Sequence, residues 1–422
     1  YSFAMFFANP HTTRCAYDPA LHKVLNMAAG RASRARLSSW NLLSPAPTPA
    51  WSLPGLAKAL GVASVTLKDE SRRSTLGSFK ALGAPNALIL LAMRRWPQHG
   101  WTAESLFAGR YAQELRDWVV ISATDGNHGR ALAAAAQSLG CRCVIVLHAE
   151  VSTEREAAIA AYGADIVRVT GDYDESVREA ERLARENGWD VVSDTSYAGY
   201  EEVPRDVMQG YGIIADELLQ DVASDAACPW THVFLQGGVG GLPAGIVSYF
   251  WERFGATRPT FIVVEPEQAD CLYQSALQGR PARASGNVDS VMAGLACGET
   301  SPLAWRFLLP VADFFVTVAD PLAEESMRIL AEGRHGDIPV IAGESGVAGL
   351  AALRVMMANS AWRLPAGLGS SSRVLLISTE GATAPNVYAR IVGNTAENVL
   401  VAQNRWLEAH GMPGPGPSCL SV

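Results

Sequence analysis

The chain has 422 residues, is 49% hydrophobic, and carries 42 acidic against 34 basic side chains, a formal net charge of −8. That is more apolar material than one compact core needs, so two lobes are expected. Charges of both signs are interspersed without long runs, which argues against nucleic acid or an anionic membrane as partner.

Taken in chain order, the opening YSFAMFFANP has no charged n-region, so no signal peptide is read there and a cytoplasmic protein is expected. RASRAR at 31–36 is the one local basic cluster and reads as a solvated surface turn. SFKALG then sets Lys80 after a turn and before an apolar helix. The richest apolar run of that helix, ALILLAM at 87–93, stops at Arg94 and Arg95, short of the roughly 20 residues that span a bilayer.

From 118 onward, short β-branched runs alternate with alanine-rich stretches, giving strands near 118–123, 142–147, 165–170 and 190–194 with helices between them. Such βαβ units lay parallel strands side by side under covering helices. A long helix near 205–220 follows, then THVFLQ as a strand, PAGIVSYFWERFG as a helix and TFIVVEP as a strand. SGVAGLAALRVMMAN and RVLLIST read as the closing helix and strand. The fold class is therefore α/β, with two lobes that each hold a mostly parallel sheet flanked by helices. The larger lobe is expected from 1–85 and 204–422, and a smaller, substrate-capping lobe from 86–203.

Seven cysteines are scattered without a CxxC pair or a histidine at ligand spacing, so no metal site is read. Whether Cys271 and Cys297 are bridged stays open.

Three segments carry chemistry. SATDGNHG at 122–129 puts Asp125 in a turn between a strand and a helix, where aspartate and asparagine are also ordinary turn formers and caps. QGGVGGLPAG at 236–245 follows a strand and opens a helix with Pro243 in its first turn. Gly237, Gly238, Gly240 and Gly241 would let backbone N–H groups converge on an anion at the positive end of the helix. Pro243 stands where a dinucleotide fingerprint needs its third glycine, and no GxxxxGK[ST] occurs, so a single phosphomonoester such as that of pyridoxal phosphate fits better. Given that cradle, Lys80 in an apolar surround would have a lowered pKa and could form a Schiff base with an aldehyde cofactor.

The order SFKALG, SATDGNHG, QGGVGG and ISTEG resembles the fold-type II pyridoxal-phosphate enzymes, the tryptophan synthase β-like group. With VVSDTSYAGY, VMQGYG, VEPEQADCLY, VMAGLACGE and AGESGVAGL added, residues 35 to 392 resemble the diaminopropionate ammonia-lyases. The early Pro85 in LGAPNAL and the C-terminal GMPGPGPS depart from the pattern without touching the chemistry.

The resemblance implies pyridoxal 5'-phosphate as cofactor and α,β-elimination of D- and L-2,3-diaminopropionate to pyruvate and ammonia. It implies Lys80 as the Schiff-base lysine, Asn127 at the phenolic oxygen of the cofactor, and Gly237, Gly238, Val239, Gly240 and Gly241 around its phosphate. Ser378 would face the pyridine nitrogen, with Thr379 the lesser candidate. Ser122, Ala123, Thr124 and Asp125 would hold the substrate. The two enantiomers present their Cα hydrogens to opposite faces of the cofactor, so two bases are needed. The resemblance gives Asp125 to the D isomer and Asp194 to the L isomer. Glu344 and Tyr173 have weaker claims. A small-molecule amino-acid substrate and a homodimer are likewise implied. Left open are a serine or threonine dehydratase or a β-replacing synthase of the same fold type, and a non-catalytic protein that binds an amino acid or phosphate.

Overall fold

The structure is a computed structural model that describes residues 4–124 and 126–414. The large sheet has seven strands: β1 (Phe6–Ala8), β2 (Ala50–Ser52), β3 (Ser64–Asp69), β8 (His232–Gln236), β9 (Thr260–Pro266), β10 (Ala312–Val318) and β11 (Arg373–Ser378). Their order is β1-β10-β9-β8-β11-β3-β2, and the antiparallel pairs are confined to β1 and β2 at the edges. The small sheet has β4 (Val119–Ala123), β5 (Arg142–Leu147), β6 (Asp165–Arg168) and β7 (Asp190–Val191) in the order β6-β5-β4-β7, all parallel.

The chain passes from β8 to β9 and β10 on one side and reaches β11 on the other, so the direction of winding reverses between β8 and β11. At such a switch point the loops leaving the carboxyl ends of neighbouring strands part and open a crevice. The glycine run leaves β8 there and ISTEG ends β11 there. From the small sheet, β4 leads into Thr124 and, beyond it, Asn127 at the head of the next helix, and β7 leads to Asp194.

Burial explains which runs became central strands. Every residue of β8 is buried, as are six of seven in β9 and five of six in β11, which suits strands covered by helices on both faces. The helix Ala84–Arg95, with Pro85 in its first turn, and the helix Glu202–Leu219 pack with Asn127–Leu139 in one continuous core.

Several expectations are corrected. RASRAR is no surface turn: it lies in the helix Met27–Leu37, where Arg34 pairs with Asp216 at 2.9 Å and Arg36 donates to Asn86 Oδ1 at 2.6 Å. Strand β11 does not close the chain. The helices Pro385–Val392 and Ala396–Ala409 follow it, the first stopped by Gly393 at φ 77° and the second capped by Thr395. None of the six described cysteines is in a disulfide, which answers for Cys271 and Cys297 the question the sequence left open.

Beneath the switch point lies a buried ion cluster. Lys68 Nζ is 2.7 Å from Glu217 Oε1, and Arg73 reaches both Glu217 at 2.7 Å and Glu70 at 2.9 Å. Their charges compensate pairwise, which is what allows four ionic groups to sit away from water. The cluster ties β3 and the turn after it to the helix Glu202–Leu219.

Candidate active site

Lys80 lies in a short 3-10 turn, Phe79–Leu82, where the Ser78 hydroxyl accepts from Lys80 N at 3.3 Å. That turn is held against the end of β11 by Phe79 N donating to Thr379 O at 3.0 Å and Gly381 N donating to Gly77 O at 2.9 Å. Lys80 Nζ projects into a cleft of about 830 Å³, open mouth included, and donates to Asp194 Oδ2 at 2.8 Å. The rings of Phe79 and Tyr211 flank the amine at 5.2 and 5.6 Å.

Burial alone would lower the Lys80 pKa, as the sequence reading expected, but the Asp194 carboxylate outweighs it and raises the ammonium above its ordinary value. Burial would likewise raise Asp194, yet Lys80 and His128 bring its carboxyl below the usual carboxylate range. The pair is thus an ammonium and a carboxylate. Burial pushes the Tyr211 phenol up to about 12.

On the small-sheet side, Ala123, Thr124, Asn127 and His128 line the cleft. Thr124 Oγ1 accepts from Gly126 N at 3.1 Å and Gly129 N at 3.2 Å, which closes the turn at the head of the helix Asn127–Leu139. Ser122 does not join the lining; it is fully buried in β4 with its hydroxyl turned to Ala123 O at 3.4 Å. Asp125 lies outside the described residues. His128 Nε2 must donate, since its partner at 2.9 Å is the Val192 carbonyl oxygen. Burial lowers its pKa from the ordinary histidine value, against the opposing pull of Asp194. Tyr173 also lines the cleft, whereas Glu344 lies behind it, fully buried beside the lining residue Ser345.

The glycine run supplies the floor through Gly237, Gly238, Val239 and Gly241, while Gly240 faces away. Gly240 is required for another reason: its φ of 105° excludes most side chains, and a Cβ there would come within 3.1 Å of Ala304. At Gly237 a Cβ would stand 2.7 Å from Glu265 Cγ, so the backbone passes where no side chain fits. The helix Gly241–Phe254 begins without a side-chain cap. Its first N–H groups have no intrahelical acceptors and carry the positive end of the macrodipole. This is the donor set a phosphate needs.

Ser378 stands just off the lining at the end of β11. It is fully buried, its hydroxyl lacks a partner among the described residues, and Thr379, the lesser candidate, is the one that lines the cleft. An orphaned hydroxyl beside the cleft, an amine inside it and an uncapped helix end across from it fit a phosphorylated aromatic aldehyde.

The sequence reading passed over Glu380, Gln236, Ser345, Gly294, Leu295 and Cys297, which complete the walls. Gln236 was visible as a polar residue ending an apolar strand, and Glu380 as a charge straight after one. Gln236 Nε2 donates to Ile377 O at 2.6 Å and so fastens the ends of β8 and β11 together.

Against this geometry the comparisons with known proteins are consistent. The profile of the family described as pyridoxal-phosphate dependent enzyme matches residues 42–380. The diaminopropionate ammonia-lyase of Salmonella typhimurium is 39% identical over 357 residues, covering 83% of this chain and 88% of that one. The solved structure of holo diaminopropionate ammonia-lyase from Escherichia coli superposes with a TM-score of 0.83 at 32% identity, covering 93% of this chain and 97% of that one. The same enzyme in complex with an aminoacrylate-PLP azomethine reaction intermediate matches with a TM-score of 0.81 at 32% identity over the same shares. Likeness in sequence and in backbone runs along nearly the whole chain, and this chain belongs to the pyridoxal-phosphate-dependent enzymes, among the diaminopropionate ammonia-lyases.

Proposed function

We propose that this chain is a carbon-nitrogen lyase that uses pyridoxal 5'-phosphate to convert 2,3-diaminopropionate and one water to pyruvate and two ammonia. The observation that carries this is the Lys80–Asp194 pair, 2.8 Å apart inside a cleft that faces the uncapped helix end at Gly241. When bound, the cofactor would supply an aldehyde for the substrate amine and a ring that delocalises the electrons left when a Cα proton is removed.

The residues divide the remaining work. Lys80 would hold the aldehyde covalently, and Gly237, Gly238, Val239 and Gly241 would hold the phosphate by backbone N–H groups. Asn127 would contact the phenolic oxygen, and Ser378, with Thr379 beside it, would meet the ring nitrogen. A hydroxyl there, unlike a carboxylate, does not enforce a protonated ring. Ala123 and Thr124 would receive the substrate carboxylate.

Asp194 is our choice of base for the L isomer, supported by its place 2.8 Å from the lysine that substrate displaces. When Lys80 loses its positive charge, Asp194 becomes a buried carboxylate without its counter-ion and a stronger base. Asp125 is proposed for the D isomer on the motif alone. Departure of the β-amino group needs it protonated, so a proton must be retained near Cβ. The apolar side chains of Phe79, Leu242 and Leu295 limit water at the reacting atoms. Residues 86–203 are proposed as the lobe that closes over the cleft, against 1–85 and 204–422. By resemblance we place the protein in the cytoplasm as a homodimer.

The test is optical and chemical. Purified protein given pyridoxal phosphate should acquire a visible band that borohydride abolishes and that Lys80→Ala lacks. It should release pyruvate faster from diaminopropionate than from serine or threonine. A colourless wild type, or serine as the best substrate, would overturn the reading.

A further inference from the structure

Resting on the reading that the cofactor occupies this cleft, we infer that Glu380 is a positioning residue that fixes the side-chain amide of Asn127 with its NH2 group toward the cofactor's phenolic oxygen. Asn127 Nδ2 donates to Glu380 Oε2 at 2.6 Å across 253 residues of sequence, joining the small-sheet turn to the end of β11. Glu380 is nearly fully buried, and its other contacts are donors too: Thr383 Oγ1 to Oε2 at 3.0 Å and Ser345 N to Oε1 at 3.1 Å.

A carboxylate surrounded by three donors can only accept. The two ends of an asparagine amide are nearly the same size, so what faces them decides which end is which. Here the carboxylate forces Nδ2 inward, because the opposite orientation would set Oδ1 against a negative oxygen. One Nδ2 hydrogen is spent on Glu380, and the second remains for an anionic oxygen in the cleft that Asn127 lines.

One further contact makes this arrangement rigid. The backbone of Glu380 bridges that of Ser78, two residues before Lys80, so the residue that orients Asn127 is registered to the lysine. The neighbouring Glu344 is buried with both carboxyl oxygens lacking partners among the described residues, and burial, then the charge of Glu380, pushes its pKa up.

Glu380→Gln is the informative substitution. Its amide must present a donor to one side, and the backbone N–H of Ser345 cannot turn. The glutamine oxygen will therefore face Ser345, its NH2 will face Asn127, and Asn127 will flip to offer Oδ1 to the phenolic oxygen.

In the holoenzyme variant, the pH at which the visible band changes should rise by about 1 unit, because the phenolic oxygen loses a donor. The apoprotein should bind pyridoxal phosphate roughly tenfold more weakly, as loss of one such hydrogen bond implies. Asn127→Ala should produce the same two changes, and Glu380→Gln placed on Asn127→Ala should add nothing. Glu380→Asp, which keeps an acceptor, should restore part of the spectrum. If Glu380→Gln does not fold, Asn127→Ala alone still decides: an unchanged band and affinity overturn the inference. Additive effects in the double variant also overturn it, since Glu380 would then act on something else. A wild type with no borohydride-sensitive band would instead overturn the functional reading beneath it.

Discussion

Under the proposed function Asp194 would do two things at different times: hold the Lys80 ammonium before the cofactor arrives, and accept a proton once substrate has displaced that lysine from the cofactor. Both tasks follow from one position, 2.8 Å from Nζ, and neither needs the carboxylate to move far. Asp194→Asn should cut turnover of L-diaminopropionate by at least about a hundredfold, the usual reach of a positioned general base, while sparing the D isomer. Asp125→Asn should do the reverse. Steady-state assays on the separate enantiomers check this, and equal losses on both would sink the division of labour. That Lys80 and most of the glycine run lie at the cleft was legible from local chemistry, and that Asn127 and Asp194 do was legible only through the family resemblance. Glu380 was not, because its meaning depends on Asn127, 253 residues away, and no pattern along the chain records that meeting. Ser122 stops one residue short of the cleft: it is buried within β4, and the lining begins with Ala123 and Thr124 at the strand's end.

At the level of elements, β8, β9 and β11 could be read because each is a short, nearly continuous apolar run between turn formers. Strands β1 and β2, three residues each, carry no such signal and exist only by pairing with β10 and β3. Strand β3 was hidden by its own buried charges: Lys68 and Asp69 look like surface until the ion cluster and the turn after the strand are known. The run FFVTV of β10 is apolar, but periodicity alone does not separate it from a buried helix segment.

Glu265 shows how neighbouring elements are coupled to the glycine floor. It touches the space beside Gly237 and accepts Leu272 N at 2.8 Å and Tyr273 N at 2.9 Å, capping the helix Cys271–Gln278. Burial, only partly offset by those hydrogen bonds, pushes its carboxyl up to about 8. The folded form therefore binds a proton that the unfolded chain, with an ordinary glutamate pKa near 4.3, has released. This contribution to stability is full below about pH 4.3 and is lost as pH rises to about 8, at a slope of at most about 1.4 kcal/mol per unit. Glu265→Gln removes the slope, so its deficit in denaturant midpoint against wild type should be largest near pH 5 and shrink toward pH 9. A deficit constant across that range would show that Glu265 does not titrate between the two states.

For the whole molecule, the ion cluster is the joint between the large sheet and the helix that backs the cleft. Replacing Glu217 by Gln leaves Lys68 and Arg73 facing Glu70 alone, an uncompensated buried charge that should cost about 3–5 kcal/mol. Urea unfolding would measure that loss, and a change under about 1 kcal/mol would mean that water or rearrangement reaches the cluster.

The short outer strands have a consequence of another kind. The borders of the two sheets are strands of three, three, four and two residues. Each offers too brief a ladder of open amide and carbonyl groups to recruit a stray strand from another molecule. A protein with this much buried parallel sheet thereby keeps its stickiest geometry in the interior, and crowded solutions of it should be slow to seed fibrils.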